Sequence, residues 1–345
     1  MASTNNKPTA FVIGAGRMGR QHISNSRKAG LHVTGVFDQN IDSLATAQKD
    51  HEVESKYLFN DFKNLCESGV PDLAVIATTT PSHCDFGIQL AKHGVKYLMI
   101  EKPLGPSIAQ CEELIEQCSR SGTRVAVNYM FHFIPTVLKV KELLNSKMLG
   151  GFTSLTVNGN NSGLAMVGSH FINLFKFFSE SPPVTVSAWL KDSDVQNPRG
   201  KQYLDSGGLV IVHSLAGHRL TMDFPIDQGQ GLEMLVCGRY GMIRSDLVNG
   251  VIRGFARNPS DQNLPLTRSD LGCIDISFDL PKTDWHEASI VHIKNLFANG
   301  SIVGLEEATQ IVSALVAAHH SSDQNNSSVQ VKDMGKFRSR TFSWA

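Results

Sequence analysis

The sequence predicts an α/β protein in two domains. Residues 1–127 read as a doubly wound parallel domain of Rossmann type, and residues 128–345 as an α+β domain with an open-faced, mostly antiparallel sheet. Three observations predict this. Up to Asn128, apolar runs alternate with helical patterns, as a parallel sheet covered by helices requires. After it, β-type runs follow one another with no helix between them, which indicates antiparallel pairing. The first apolar run also ends in Gly14-Ala15-Gly16-Arg17-Met18-Gly19, a G-x-G-x-x-G turn that opens a helical pattern.

Each element has its own signal. Residues 10–13 form the strand that enters the glycine turn, and residues 32–37 form a second strand ending in Asp38. A helix over 41–51, a short strand over 56–58, a helix over 61–67 and a buried strand over 72–77 follow. Ser82 is expected to cap a helix over 84–93 that Gly94 ends. Residues 97–100 are a strand, Ser107 and Gln110 form a capping box for a helix through Arg120, and 123–128 is the last strand of this layer. In the second domain a helix carrying Leu138, Val140, Leu143 and Leu144 precedes a strand over 152–157. A helix over 167–178 comes next, then strands over 185–190, 208–213, 219–224, 232–237 and 242–246. Helical patterns return at 287–297 and 306–319, and 323–328 is a loop.

Composition narrows the partners. Lys plus Arg and Asp plus Glu both number 32, so no whole-chain field attracts nucleic acid or an anionic membrane. The first ten residues lack the apolar core of a leader, and no run reaches the roughly 18 apolar residues of a membrane span. Cys66, Cys84, Cys111, Cys118, Cys237 and Cys273 show no metal spacing, so reduced thiols in a cytoplasm and no metal site are expected.

The glycine turn is read as a nucleotide cradle. Gly14 turns the backbone sharply, Gly16 lets a pyrophosphate approach, and Gly19 lets the helix pack close, with free N–H groups facing the phosphates. Asp38 stands where a carboxylate accepts from ribose hydroxyls and repels a 2′-phosphate, which favours NAD over NADP. Arg17 keeps NADP open. Residues just past the strands are the other candidates: Thr78, Thr79, Thr80 and His83 after the fourth, Glu101 and Lys102 after the fifth, Asn128 after the sixth. Lys102 is placed to donate hydrogen bonds and positive charge to a reacting oxygen. His170, near the start of an apolar helix, has the chemistry of a proton acceptor at neutral pH.

These residues carry a resemblance. Gly14 to Gly19 with His22, Ala77-Thr78-Thr79-Thr80-Pro81-Ser82-His83, Glu101-Lys102-Pro103-Leu104, the 128–135 segment and Gly168-Ser169-His170 resemble the Gfo/Idh/MocA family. The resemblance implies NAD(P), sugars or cyclitols as substrates, and a homodimer or homotetramer built through the open sheet. It implies that Lys102 polarises the reacting oxygen and that His170 moves its proton. Three positions depart from it: Met166 and Asn173 stand where many members carry acids, and His132 where many carry arginine. Tyr129, His132, Asn160, Asn161 and Asn173 are the candidates for replacement contacts to a polyhydroxylated substrate. The expected activity is NAD(P)-dependent hydroxyl–carbonyl interconversion. Two alternatives stay open: transient oxidation leading to elimination or glycosidic cleavage, and an impaired paralogue that only binds NAD and sugar.

Overall fold

Short strands that are apolar on both faces must be covered on both faces, and the helices between them do this. In the computed structural model, β1 (Thr9–Ile13), β2 (His32–Phe37), β3 (Leu58–Phe59), β4 (Leu73–Ile76), β5 (Tyr97–Ile100) and β6 (Arg124–Val127) form one parallel sheet in the order β3-β2-β1-β4-β5-β6. The crossovers contain α1 (Arg17–Lys28), α2 (Ile41–His51), α3 (Phe62–Glu67), α4 (His83–Lys92) and α5 (Ile108–Ser121). Ala10 pairs with Leu73 and Val12 with Val75, and all four lie in one buried cluster. The order reverses between β1 and β4, the place at whose carboxyl edge open sheets take ligands. The structure describes residues 7–344 except Pro198, Gln230, Ser269 and Ser301; residues 1–6, where no leader is expected, lie outside the described residues.

Local chemistry sets the element ends. Asn40 caps α2 by accepting the Asp42 N–H at 2.8 Å, and Asp61 caps α3 through the Asn64 N–H at 2.9 Å. Ser107 caps α5 by accepting the Gln110 N–H at 3.2 Å, while Gln110 Oε1 takes no hydrogen bond, so the box is half made. Ser82 does not cap α4; its hydroxyl donates instead to Thr78 Oγ1 at 2.8 Å and to the Thr79 carbonyl at 3.0 Å. The strand expected over 56–58 is displaced. Ser55–Tyr57 is a 3₁₀ turn, and only Leu58 and Phe59 pair with β2.

The chain divides into two units that are each discontinuous in sequence: Met1–Met130 with His286–Val312 and Ser339–Ala345, and Phe131–Trp285 with Ser313–Arg338. In the first unit, Ile293 and Leu296 complete the cluster under the parallel sheet. Phe342 donates its N–H to the Pro106 carbonyl at 2.9 Å, and Trp344 is fully buried.

The second unit opens with α6 (Pro135–Asn145), β7 (Phe152–Asn158) and α7 (Ser169–Ser179). Strands β8 (Pro183–Lys191), β9 (Gly207–Ser214), β10 (Arg219–Phe224), β11 (Glu233–Gly238), β12 (Gly241–Asp246), β13 (Val251–Arg257) and β14 (Cys273–Asp279) follow. After α8 (Trp285–Phe297) and α9 (Leu305–Asp323), β15 (Val329–Gln330) closes one edge of a nine-stranded sheet ordered β14-β13-β12-β11-β7-β10-β9-β8-β15. All its recorded pairings are antiparallel except β7 with β10. One face is apolar: Leu155, Val157, Met222 and Phe224 are buried where α7 packs on β7 and β10. The other alternates outward and leaves Trp189 and Phe255 exposed. β13 and β14 are additions to the expected set, although residues 273–279 do alternate polar with apolar. The helix expected over 167–178 begins later, because Leu164–Gly168 winds as a π turn before it.

Candidate active site

Three glycines shape the cradle, each for its own reason. Gly14 has φ +95° and donates its N–H to the Phe37 carbonyl at 2.7 Å, and a Cβ there would fall 2.8 Å from the Ala77 oxygen. At Gly19 a Cβ would stand 1.7 Å from the Gly14 oxygen, so α1 presses directly on the turn. Gly16 is the opposite case: a Cβ would meet nothing within 4 Å. Ala15, Arg17 and Met18 complete the turn, and its open space lies over the N-terminus of α1, where helix N–H groups attract anions.

Asp38 is tied to this cradle. Its Oδ2 accepts the Ala15 N–H at 2.7 Å and its Oδ1 accepts the Asn40 N–H at 2.8 Å. A carboxylate so held keeps lone pairs for two further hydroxyls. Phe37, Gln39, Asn60, Phe62 and Phe86 line a groove of about 880 Å³ beside it.

The other first-unit candidates cluster at the same edge. Thr78, Thr79 and Thr80 follow β4, and buried His83 bridges two loops, with Nδ1 2.9 Å from the Pro103 carbonyl and Nε2 3.1 Å from that of Thr78. Burial pulls its pKa below the usual histidine value against these two bonds. After β5, Glu101 is buried and Lys102 half-buried, and the Lys102–Pro103 peptide is cis. Burial alone would raise the Glu101 pKa. The His22 bond and charge, the Lys102 charge and the Asn128 bond outweigh it and hold the carboxyl at about 2. Glu101 Oε1 lies 2.7 Å from His22 Nε2 and accepts from Asn128 Nδ2 at 2.9 Å, and Glu101 Oε2 accepts the Lys102 N–H at 3.3 Å.

These residues fit a dinucleotide. The space at Gly16 would admit a pyrophosphate, Asp38 would keep lone pairs for ribose hydroxyls, and Thr80 Oγ1 and Asn128 Oδ1 are buried without a hydrogen-bond partner. His22 is the residue the sequence reading left without a role. Its signals were its place in the stretch that carries the resemblance and a polar residue on the inward face of α1.

The second-unit candidates fall into separate places. His170 is buried, and its ring stacks on Phe131 at 4.1 Å and 6°. His132 is also enclosed: burial, with the Lys176 and Lys141 charges, lowers its pKa to about 4 against a bond to Asn173. It is therefore a neutral partner of Asn173, and no stand-in for an arginine. Tyr129, which belongs to the first unit, is wholly buried. Asn160 accepts from Ser162 Oγ, and Asn161 donates to Ser193 Oγ at 2.8 Å and lines a polar cavity of about 320 Å³ that Met166 also borders. Asp205 was missed from sequence. Its carboxylate accepts the N–H groups of Ala165 and Met166, both at 2.7 Å, and so caps the π turn that leads to His170.

Residues 9–129 match the profile described as oxidoreductase family, NAD-binding Rossmann fold (GFO_IDH_MocA). Over these residues the chain is similar to the Gfo/Idh/MocA oxidoreductase family. It is an NAD(P)-dependent oxidoreductase, and its cofactor domain is the parallel sheet of the first unit. Among relatives of the chain, inositol 2-dehydrogenase of Salmonella typhimurium is 22% identical over 283 residues, 78% of this chain and 83% of that one. D-xylose 1-dehydrogenase [NADP(+)] of Haloarcula marismortui is 22% identical over 252 residues, 64% of this chain and 69% of its own. Among solved structures, an Agrobacterium radiobacter oxidoreductase in complex with NAD+, L-tartaric acid and magnesium shares the fold at TM-score 0.77 and 16% identity, covering 95% of this chain and 99% of that one. No helix among the described residues is long and apolar enough to cross a membrane.

Proposed function

We propose that this protein is a cytoplasmic, NAD-preferring dehydrogenase that interconverts a secondary hydroxyl and a carbonyl on a sugar, cyclitol or related carbohydrate. The observation that carries the reading is Lys102: a lysine whose backbone N–H meets a buried carboxylate at the same sheet edge as the glycine cradle. The names of the Salmonella and Haloarcula relatives support the substrate class.

When bound, NAD supplies the acceptor for the hydride. The turn from Gly14 to Gly19 holds its phosphates, Asp38 its ribose, and the aromatic groove beside Asp38 its adenine. Gln39 and Asn40 add no cation to offset Asp38, so a 2′-phosphate is disfavoured. Lys102 donates to the reacting oxygen and stabilises the alkoxide charge that grows as the C–H bond breaks. We assign acceptance of the hydroxyl proton to His170, whose stacked ring has little freedom to turn. Asn160, Asn161, His132 and Asn173 are further candidates for the substrate side. The outward face of the nine-stranded sheet, with Trp189 and Phe255, is the proposed contact with a second copy, giving a homodimer or homotetramer.

Met166 favours a second reading, transient oxidation followed by elimination, since no acid of that turn supports the histidine. One experiment separates these. Inositols, aldoses and their acids are screened with NAD and NADP, following both nicotinamide absorbance and product mass. Lys102→Ala should lower kcat by at least about 10²-fold with NADH affinity kept within about threefold. Equal turnover by the variant ends the proposal, and product without absorbance change selects the second reading.

A further inference from the structure

The chemistry proposed above gives His22 no part, yet it touches the carboxylate behind the lysine. His22 is fully buried and Asn128 nearly so. Their donors converge on a single atom, Glu101 Oε1, from 2.7 Å and 2.9 Å. The second oxygen, Oε2, faces the Lys102 N–H at 3.3 Å. A buried carboxylate engaged on both oxygens does not rotate freely, because rotation strands two buried donors as well as a charge.

Position along the chain adds a second element. His22 lies on α1, whose N-terminus closes the cradle and whose Gly19 is pressed on Gly14. One rigid helix therefore carries the phosphate site at its start and the support of the lysine turn a little further on. His83 braces the next residue of that turn through the Pro103 carbonyl.

We propose that His22 is a positioning residue: with Asn128 as second support, it fixes Glu101, which holds Lys102 in register with the helix that binds the dinucleotide phosphates. The activity half of its test rests on the dehydrogenase reading; the labelling half does not. Glutamine places an amide nitrogen near where His22 Nε2 stands, whereas phenylalanine keeps the ring and removes the donor. His22→Phe should lower kcat at least about tenfold, with KM and NADH affinity within about threefold, and His22→Gln should recover most of that loss. In parallel, the pH at which Lys102 becomes half-reactive toward trinitrobenzenesulfonate is read by peptide mass. It should move by about half a unit or more in His22→Phe and in Glu101→Gln, and stay near the parent value in His22→Gln. A parent-like midpoint in His22→Phe, a His22→Gln as impaired as His22→Phe, or a loss seen only as lower melting temperature and weaker NADH binding overturns the proposal. Should His22→Phe not fold, His22→Asn, whose shorter amide falls short of Glu101, takes its place. If the parent protein turns over no carbohydrate, the dehydrogenase reading fails, and the labelling midpoints still decide the role of His22.

Discussion

At the scale of single residues, burial decides what each titratable group does. His132 and Glu101 are both enclosed, but only Glu101 has neighbours that favour its charge, so His132 stays neutral with a pKa near 4 while Glu101 stays ionised with one near 2. For His132 the folded pKa lies below the ordinary 6.5, so as pH falls the unfolded chain takes up the proton first. Its share of stability is complete above pH 6.5 and declines as pH drops toward 4, by about 1.4 kcal/mol per pH unit. Urea unfolding at pH 7.5 and pH 5 should therefore show a fall that is about 2 kcal/mol smaller in His132→Gln than in the parent. An equal fall in both proteins would place the acid sensitivity elsewhere. The chemistry of His132 was open to sequence reading, but its enclosure by Asn173 and the Phe177 ring, stacked at 4.3 Å, was not. His22 was obscured for a similar reason: its partner lies 79 residues away.

At the scale of elements, the β1–α1 turn does two separable things, and its glycines tell them apart. Gly19→Ala must push backbone against backbone, so it should lower stability by about 1–3 kcal/mol and weaken NADH binding together. Gly16→Ala adds a methyl to open space, so melting temperature should stay within a degree or two while NADH affinity falls at least about tenfold. Calorimetric melting with fluorescence titration checks both, and a Gly16→Ala that binds NADH normally would remove the pyrophosphate from this turn. Elements with strong periodicity were legible: 41–51 and 97–100 are found as read. Those that miss do so where a hydrogen bond outside the expected pattern takes over an end. Asp205 caps the π turn that precedes the helix of His170, and Thr78 and Thr79 draw the Ser82 hydroxyl away from its cap.

At the scale of the whole molecule, the chain returns to its first unit twice. The last return ends with Phe342 bonded to Pro106 and Trp344 buried. Trp344→Ala should cost about 3–5 kcal/mol in urea unfolding, far more than an exposed tail residue would. A change under 1 kcal/mol would show that the tail only rests on the surface. The sequence by itself determined the two kinds of sheet, the cradle, Asp38 and the place of Lys102. Those depend on periodicity and on contacts made within one strand–turn–helix step, where spacing along the chain is spacing in space. Only the tertiary structure decided that His22 and Asn128 meet on Glu101, that Asp205 caps the turn before His170, that its surroundings keep His132 neutral, and that residues 286–312 and 339–344 belong with the parallel sheet. Each of these joins residues far apart in the chain through burial and hydrogen bonding, and no local pattern records which distant donor a buried acceptor will find.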